Sequence, residues 1–220
     1  LEQLKFQKST RVRDFVLSRK TELLLTLYVP LYLIAFFLIE KLLPDSGYWV
    51  TWLPLDDLIP FWEGGAIFYV LWFPFLIGTG LFLFFFDAPA YRRFLTFMSI
   101  SFTAAVVICC LFPNGQELRP LAFEHDNVLT QFIAHLYAFD TNTNVFPSVH
   151  VIGSLMAMNA WFDSAYLRRF RWAAAALAIL ICASTVLIKQ HSALDVIGGV
   201  GVCIPVWCLV YGKRFSRSDR

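Results

Sequence analysis

Apolar residues along this chain gather into long blocks separated by short polar segments. An α-helix needs about 20 residues to cross the hydrocarbon layer of a membrane, and the blocks come close to that length. The pattern predicts six transmembrane helices: about Leu23 to Glu40, Gly65 to Phe86, Phe94 to Phe112, Ser148 to Phe162, Trp172 to Ile188 and His191 to Tyr211. The fourth is short for a full span. No internal repeat, low-complexity tract or second domain interrupts the series, so the expected fold is an all-α integral membrane protein, a single domain over residues 1–220. Between the first two spans, Tyr48 to Trp62 is too polar to cross and too apolar for an ordinary loop. An interfacial or re-entrant helix is expected there, with Trp49, Trp52 and Trp62 at headgroup level.

Composition strengthens this picture. The chain is 58% hydrophobic and only 15% charged, more apolar surface than a soluble domain of this size could hide. The five cysteines, Cys109, Cys110, Cys182, Cys203 and Cys208, all lie in apolar runs. They read as small buried hydrophobes, with no disulfide framework or metal spacing. No cofactor is implied, and nothing suggests a nucleic-acid partner. Membrane lipids are the expected surroundings, and a homo-oligomer remains open.

The net charge of +2 hides an alternation. Basic residues crowd the arm before the first span (Lys5, Lys8, Arg11, Arg13, Arg19, Lys20), the loop after the second (Arg92, Arg93), the loop after the fourth (Arg168, Arg169, Arg171) and the tail (Lys213, Arg214, Arg217, Arg220). With six spans these four segments share one side, which the positive-inside rule makes cytoplasmic. A plasma or inner membrane is expected, with both termini cytoplasmic. The basic arm Leu1 to Lys20 is expected to lie on the inner surface as an amphipathic helix, and the first span to be an uncleaved anchor. The opposite segments are acidic or nearly neutral. One carries Asp45, Asp56, Asp57 and Glu63, and another carries Glu117, Glu124, Asp126 and Asp140 around Arg119.

Candidate chemistry collects on that outer side. Pro147-Ser148-Val149-His150 opens the fourth span, and Lys189-Gln190-His191-Ser192-Ala193-Leu194-Asp195 opens the sixth. Ionisable residues at the edge of a membrane segment are costly and point to function. Ser148 suits a helix start, whose free N–H groups attract phosphate, and His150 sits in the first turn. Asp195 follows His191 by four residues, on the same helix face. A carboxylate bonded to one ring nitrogen fixes the tautomer and leaves the other nitrogen to attack. Lys189 adds positive charge, and the planar fork of Arg119, followed by Pro120, can grip a phosphate. Gly198, Gly199 and Gly201 allow close helix packing below the site. His125 and His135 lack such company and read as loop or interfacial residues. Asp56 and Asp57 read as solvated loop charges, since two adjacent carboxylates without further ligands make a weak metal site.

Taken together, these residues resemble the lipid phosphatase superfamily typified by type 2 phosphatidic acid phosphatase, which also includes vanadium haloperoxidases. Its motifs are Lys-x6-Arg-Pro, Pro-Ser-Gly-His and Ser-Arg-x5-His-x3-Asp. Here the first survives as Arg119-Pro120 with Phe112 in place of the lysine. The second has Val149 in place of glycine. The third has Ser184-Thr185, with threonine in place of arginine, and ends in His191 and Asp195. The spacings are intact from Phe112 to about Gly199. The resemblance implies metal-independent phosphoryl transfer through a phosphohistidine. His191 would be the nucleophile, Asp195 its orienter and His150 the acid. Arg119 and Ser148 would hold the phosphate, with Lys189 partly replacing the lost cations.

Two enzyme functions follow. One is a lipid phosphatase or pyrophosphatase acting at the outer face on phosphatidic acid-like lipids or polyprenyl pyrophosphates. The other is a headgroup phosphotransferase, since sphingolipid synthases resemble the same His and His-x3-Asp pattern with weaker cationic motifs. A non-catalytic transporter or scaffold is the third alternative. A transporter should carry polar groups deep in several spans, whereas here they gather at one face.

Overall fold

The structure is a computed structural model that describes residues 14, 15, 17–42 and 47–218, with only the backbone course given from residue 213 onward. Most of the basic arm expected as an amphipathic helix, residues 1–13 and 16, falls outside the described residues. In chain order the elements are α1 (Lys20–Thr26), α2 (Tyr28–Leu42), β1 (Trp49–Val50), α3 (Pro54–Leu58), α4 (Gly65–Phe86), α5 (Ala88–Leu111), β2 (Asn114–Gly115), α6 (Val128–Phe139), α7 (Val149–Asp163), a 3₁₀ turn (Arg168–Phe170), α8 (Arg171–Leu187) and α9 (Ala193–Ser218).

Among the described residues, five helical segments are long and apolar enough to cross a membrane: Lys20–Leu42, Gly65–Phe86, Ala88–Leu111, Arg168–Leu187 and Ala193–Gly212. The expected fourth span corresponds to α7, which has only 15 residues. At 1.5 Å per residue it is about 22 Å long, short of a typical hydrocarbon core. It is also the most enclosed helix of the bundle. It packs against α4, α5, α8 and α9, with Val151, Ile152, Met156, Ala157 and Ala160 all fully buried. Its small residues explain how: a Cβ on Gly153 would meet the Trp72 indole at 2.8 Å. The outer faces of the long helices, by contrast, display leucine, isoleucine and phenylalanine, as lipid contact requires.

The Tyr48 to Trp62 segment differs from the single interfacial helix expected. It forms a two-residue strand and the five-residue helix α3. Strand β1 pairs in parallel with β2, Trp49 opposite Asn114. An intervening helix of ordinary length is ruled out by Pro54 and Pro60, which restrict the residues before them. The extended backbone therefore finds its partners in β2 instead.

The two ends of the bundle carry different polar groups. At one end, Arg93 binds Asp163 through Nε and Nη2, both at 2.7 Å. There Asp87 caps α5 and accepts the Ser164 hydroxyl at 2.8 Å. Buried Glu22 faces Arg92 at 3.6 Å. At the other end lie β1, α3, β2, α6 and the starts of α7 and α9.

Helix α9 approaches the start of α7 closely because it has no side chain where they meet. A Cβ on Gly199 would stand 3.0 Å from the Ser148 carbonyl oxygen and 2.9 Å from the Val151 Cβ, whereas one on Gly201 would meet nothing within 4 Å. Gly199→Ala is therefore expected to destabilise the fold by about 1–3 kcal/mol through overpacking, and Gly201→Ala to be neutral or slightly stabilising. Thermal unfolding of both variants in detergent checks this; equal midpoints would contradict the close approach.

Candidate active site

The site grows from the loop between α8 and α9. Helix α8 ends at Leu187, and the carbonyl of Thr185 accepts both Gln190 N–H (2.9 Å) and His191 N–H (3.1 Å). This tight return needs Lys189 at φ +54, a conformation that non-glycine residues seldom adopt. Gln116 on the strand side secures it, its side-chain amide donating to the Lys189 carbonyl at 3.0 Å.

The turn delivers His191 to a buried position, 7% exposed, at the entry to α9. Its Nδ1 lies 3.3 Å from Asp195 Oδ2, and its Nε2 lies 3.4 Å from His150 Nδ1. Asp195 is fully buried, and the same Oδ2 accepts the Ser192 N–H at 2.8 Å. His150, in the first turn of α7, is packed between aromatic rings, with centroids 4.4 Å away for Tyr69 and 4.7 Å for Trp72. Ser148 caps α7 and is fully buried. Its hydroxyl accepts Val151 N–H at 3.4 Å, and its own N–H donates to the Asp195 carbonyl at 3.1 Å. A cavity opens beside the two histidines, lined also by Asp140, Thr141, Asn144, Val149 and Gln190. His150, His191, Asp195 and Ser148, which are far apart in sequence, thus meet in one place.

Two expected phosphate contacts are placed otherwise. The Lys189 ammonium donates to the carbonyls of Asp56 (2.9 Å) and Ile59 at the end of α3. Burial lowers its pKa from the ordinary lysine value, with the Asp56 and Asp57 carboxylates pushing the other way. The Arg119 guanidinium donates to the carbonyls of Tyr137 (2.9 Å), Asp140 (2.6 Å) and Thr141 (2.9 Å), and to Gln190 Oε1 (2.6 Å). It thus occupies the carbonyl end of α6, where a cation is favoured. Its face lies over the Tyr137 ring at 4.4 Å. Desolvation lowers its pKa below the usual value, opposed chiefly by the Asp140 carboxylate. Phe112, at the position of the family's lysine, is exposed, and the Thr185 hydroxyl donates to the Cys182 carbonyl of its own helix. His125 is exposed near Glu63, and His135 is exposed on α6.

Asp56 corrects the expectation of a solvated loop charge. It is 2% exposed. Its Oδ2 accepts the Ser192 hydroxyl at 2.6 Å and the Leu53 N–H at 2.8 Å, and its Oδ1 accepts the Ala193 N–H at 2.7 Å. A carboxylate from α3 therefore caps the start of α9, two residues from His191. The one signal available in sequence was Pro54 with Asp56 and Asp57 in the next turn, which suits a helix start. Its partners, 136 and 137 residues away, left no trace.

The fold and the site together define an α-helical membrane protein with a pair of histidines, one buried and held by a carboxylate and the other half-buried, at one end of the bundle. The PAP2 superfamily profile matches residues 65–209, well over half of the chain and all of these groups, and the protein belongs to that superfamily. No curated protein and no solved structure matches it. Superfamily members are in general phosphoesterases, which supports a phosphatase-type activity for this chain.

Asp56→Ala should remove three buried charge-assisted bonds and cost about 3 kcal/mol or more, whereas Asp57→Ala, on an exposed neighbour, should cost less than about 0.5 kcal/mol. Unfolding in detergent measures both. Equal behaviour of the two variants would show that Asp56 does not hold the α9 entry.

Proposed function

We propose that this protein is a membrane phosphoryl-transfer enzyme that acts on lipid phosphates or pyrophosphates through a phosphohistidine, without a metal ion. The observation that carries this reading is the line of contacts Asp195–His191–His150, with His191 Nδ1 on the carboxylate and Nε2 turned to the second histidine. In the first step His191 Nε2 attacks phosphorus. The bond from phosphorus to the lipid oxygen breaks, and that oxygen takes a proton from His150. In the second step water or an alcohol attacks phosphorus and gives its proton to His150, which frees His191. Asp195 holds the His191 tautomer and balances its charge. Ser148 and the free N–H groups of the first turn of α7 are the proposed phosphate contacts.

Hydrolysis is the first reading. Headgroup transfer from a phosphodiester lipid is favoured by one observation: Lys189 and Arg119 are committed to carbonyls. A doubly charged monoester would find little neutralisation there, and a singly charged diester needs less.

The orientation proposed is six crossings, with α7 as a short one, and the histidines on the extracytoplasmic side. Charge supports it: the Arg92, Arg93 and Arg168 to Arg171 loops lie at the end of the bundle away from the histidines. A cysteine placed at Leu121, a fully exposed residue of the α5–α6 connection, in a protein freed of its native cysteines, should react with an impermeant thiol reagent from outside intact cells. Labelling only after permeabilisation would contradict the orientation.

Substitution separates the roles. His191→Ala should abolish turnover. Asp195→Asn should slow it by on the order of a hundredfold or more. His150→Ala should harm an alkyl phosphate lipid far more than an aryl phosphate, whose leaving oxygen needs no proton. The rate should be bell-shaped with pH, since the pair must be half protonated. Chelators should leave the rate unchanged. Normal turnover by His191→Ala, or activity lost in EDTA and restored by magnesium, would overturn the mechanism.

A further inference from the structure

Beside the two histidines the cavity is lined by the apolar Phe36, Val145 and Val149 and by a polar set, Asp140, Thr141, Thr143, Asn144 and Gln190. Asp140 is held firmly: its Oδ2 accepts the Tyr69 hydroxyl at 2.9 Å and the Gln190 amide at 2.8 Å. Its Oδ1 accepts nothing among the described residues, yet is not sealed from solvent. Gln190 in turn is fixed by Arg119, whose guanidinium binds Gln190 Oε1 and the Asp140 carbonyl, both at 2.6 Å. Behind the wall, Glu40 accepts the Thr141 hydroxyl (2.6 Å) and the Asn144 amide (3.0 Å).

This arrangement explains what became of Arg119. Its charge is spent on orienting Asp140 and Gln190, so the polar surface next to the histidines offers hydroxyls, amides and a carboxylate oxygen. Such a surface repels a second phosphate charge. With the Thr141, Asn144 and Gln190 donors already engaged, its free atom is the acceptor Asp140 Oδ1, which a hydroxyl can meet by donating. A site built to bond a hydroxyl discriminates strongly against an analogue that lacks it, because its buried polar atoms are then left unpaired.

We infer that Asp140 Oδ1 receives a hydroxyl of the substrate's headgroup, and that the cavity selects a phosphodiester lipid with a hydroxylated headgroup over a phosphomonoester. The inference rests on the phosphohistidine reading and takes its headgroup-transfer branch, with a diester as substrate in place of the phosphate or pyrophosphate of the hydrolytic branch. Asp140 is the specificity-determining contact, and Tyr69, Gln190 and Arg119 position it.

The test uses the full chain with three lipids of identical acyl chains in mixed micelles: phosphatidic acid, phosphatidylmethanol and phosphatidylglycerol. All three release diacylglycerol, whether the second step uses water or an alcohol, so one product reports them all. Phosphatidylglycerol should exceed phosphatidylmethanol in kcat/KM by at least tenfold, mainly through KM, and phosphatidic acid should be the poorest. Asp140→Ala should bring the first ratio to within about threefold of unity. Equal use of phosphatidylglycerol and phosphatidylmethanol by the unaltered protein overturns the inference whatever the variant does, as does a preference for phosphatidic acid. An unchanged ratio in a folded Asp140→Ala also overturns it. Absence of any phosphoenzyme with all three lipids would instead remove the phosphohistidine reading, and the inference with it.

Discussion

The site depends on one buried carboxylate that takes no part in the proposed chemistry. Asp56 reaches from a five-residue helix to cap the start of α9, while Lys189 reaches back to the carbonyls of that helix. The exchange places two opposite charges in a clasp closed over the five-residue loop between α8 and α9. A buried carboxylate is tolerable only with its lone pairs satisfied, and here three donors satisfy them. Because the loop also leaves α8 through an unfavourable conformation at Lys189, its shape has to be imposed by such bonds. His191 has its position because the residues on both sides of it are held.

The same economy accounts for the distribution of charge. A cation near a helix end binds the free carbonyls there, and Arg119 and Lys189 both do so. What is left beside the histidines is a mixture of apolar and uncharged or acidic polar groups, with no free cation among the lining residues described. The family resemblance and the geometry thus give different emphases. The histidine–aspartate machinery is intact, whereas the cations expected around a phosphate serve the scaffold. Under the proposed mechanism, in which His191 is the nucleophile and His150 the acid, such a site should be selective about the charge that phosphorus carries.

Much of this was legible in sequence. The long apolar windows located α4, α8 and the apolar span of α9 to within a few residues, because membrane spans are set by hydropathy over long stretches. The i, i+4 spacing placed Asp195 on His191, a purely local relation. The short apolar run after Ser148 became α7, which the other helices enclose on most sides. Long-range pairing was not legible. Asp56 looked like a loop charge because its partners are more than 130 residues away. Gln116, Gln190 and Asp140 carried no motif at all. Residue type announced that Arg119 and Lys189 are cations; only the fold could say which way they face.

The central claim is that His191 attacks through Nε2 while Asp195 holds Nδ1. It is tested most directly by trapping the enzyme with a phosphate substrate at low temperature, and then locating the phosphoryl group by peptide mass spectrometry and phosphorus NMR. The account predicts a single phosphoramidate, on His191 at Nε2. Phosphate on His150, on a residue outside the pair, or on Nδ1 of His191 would contradict it.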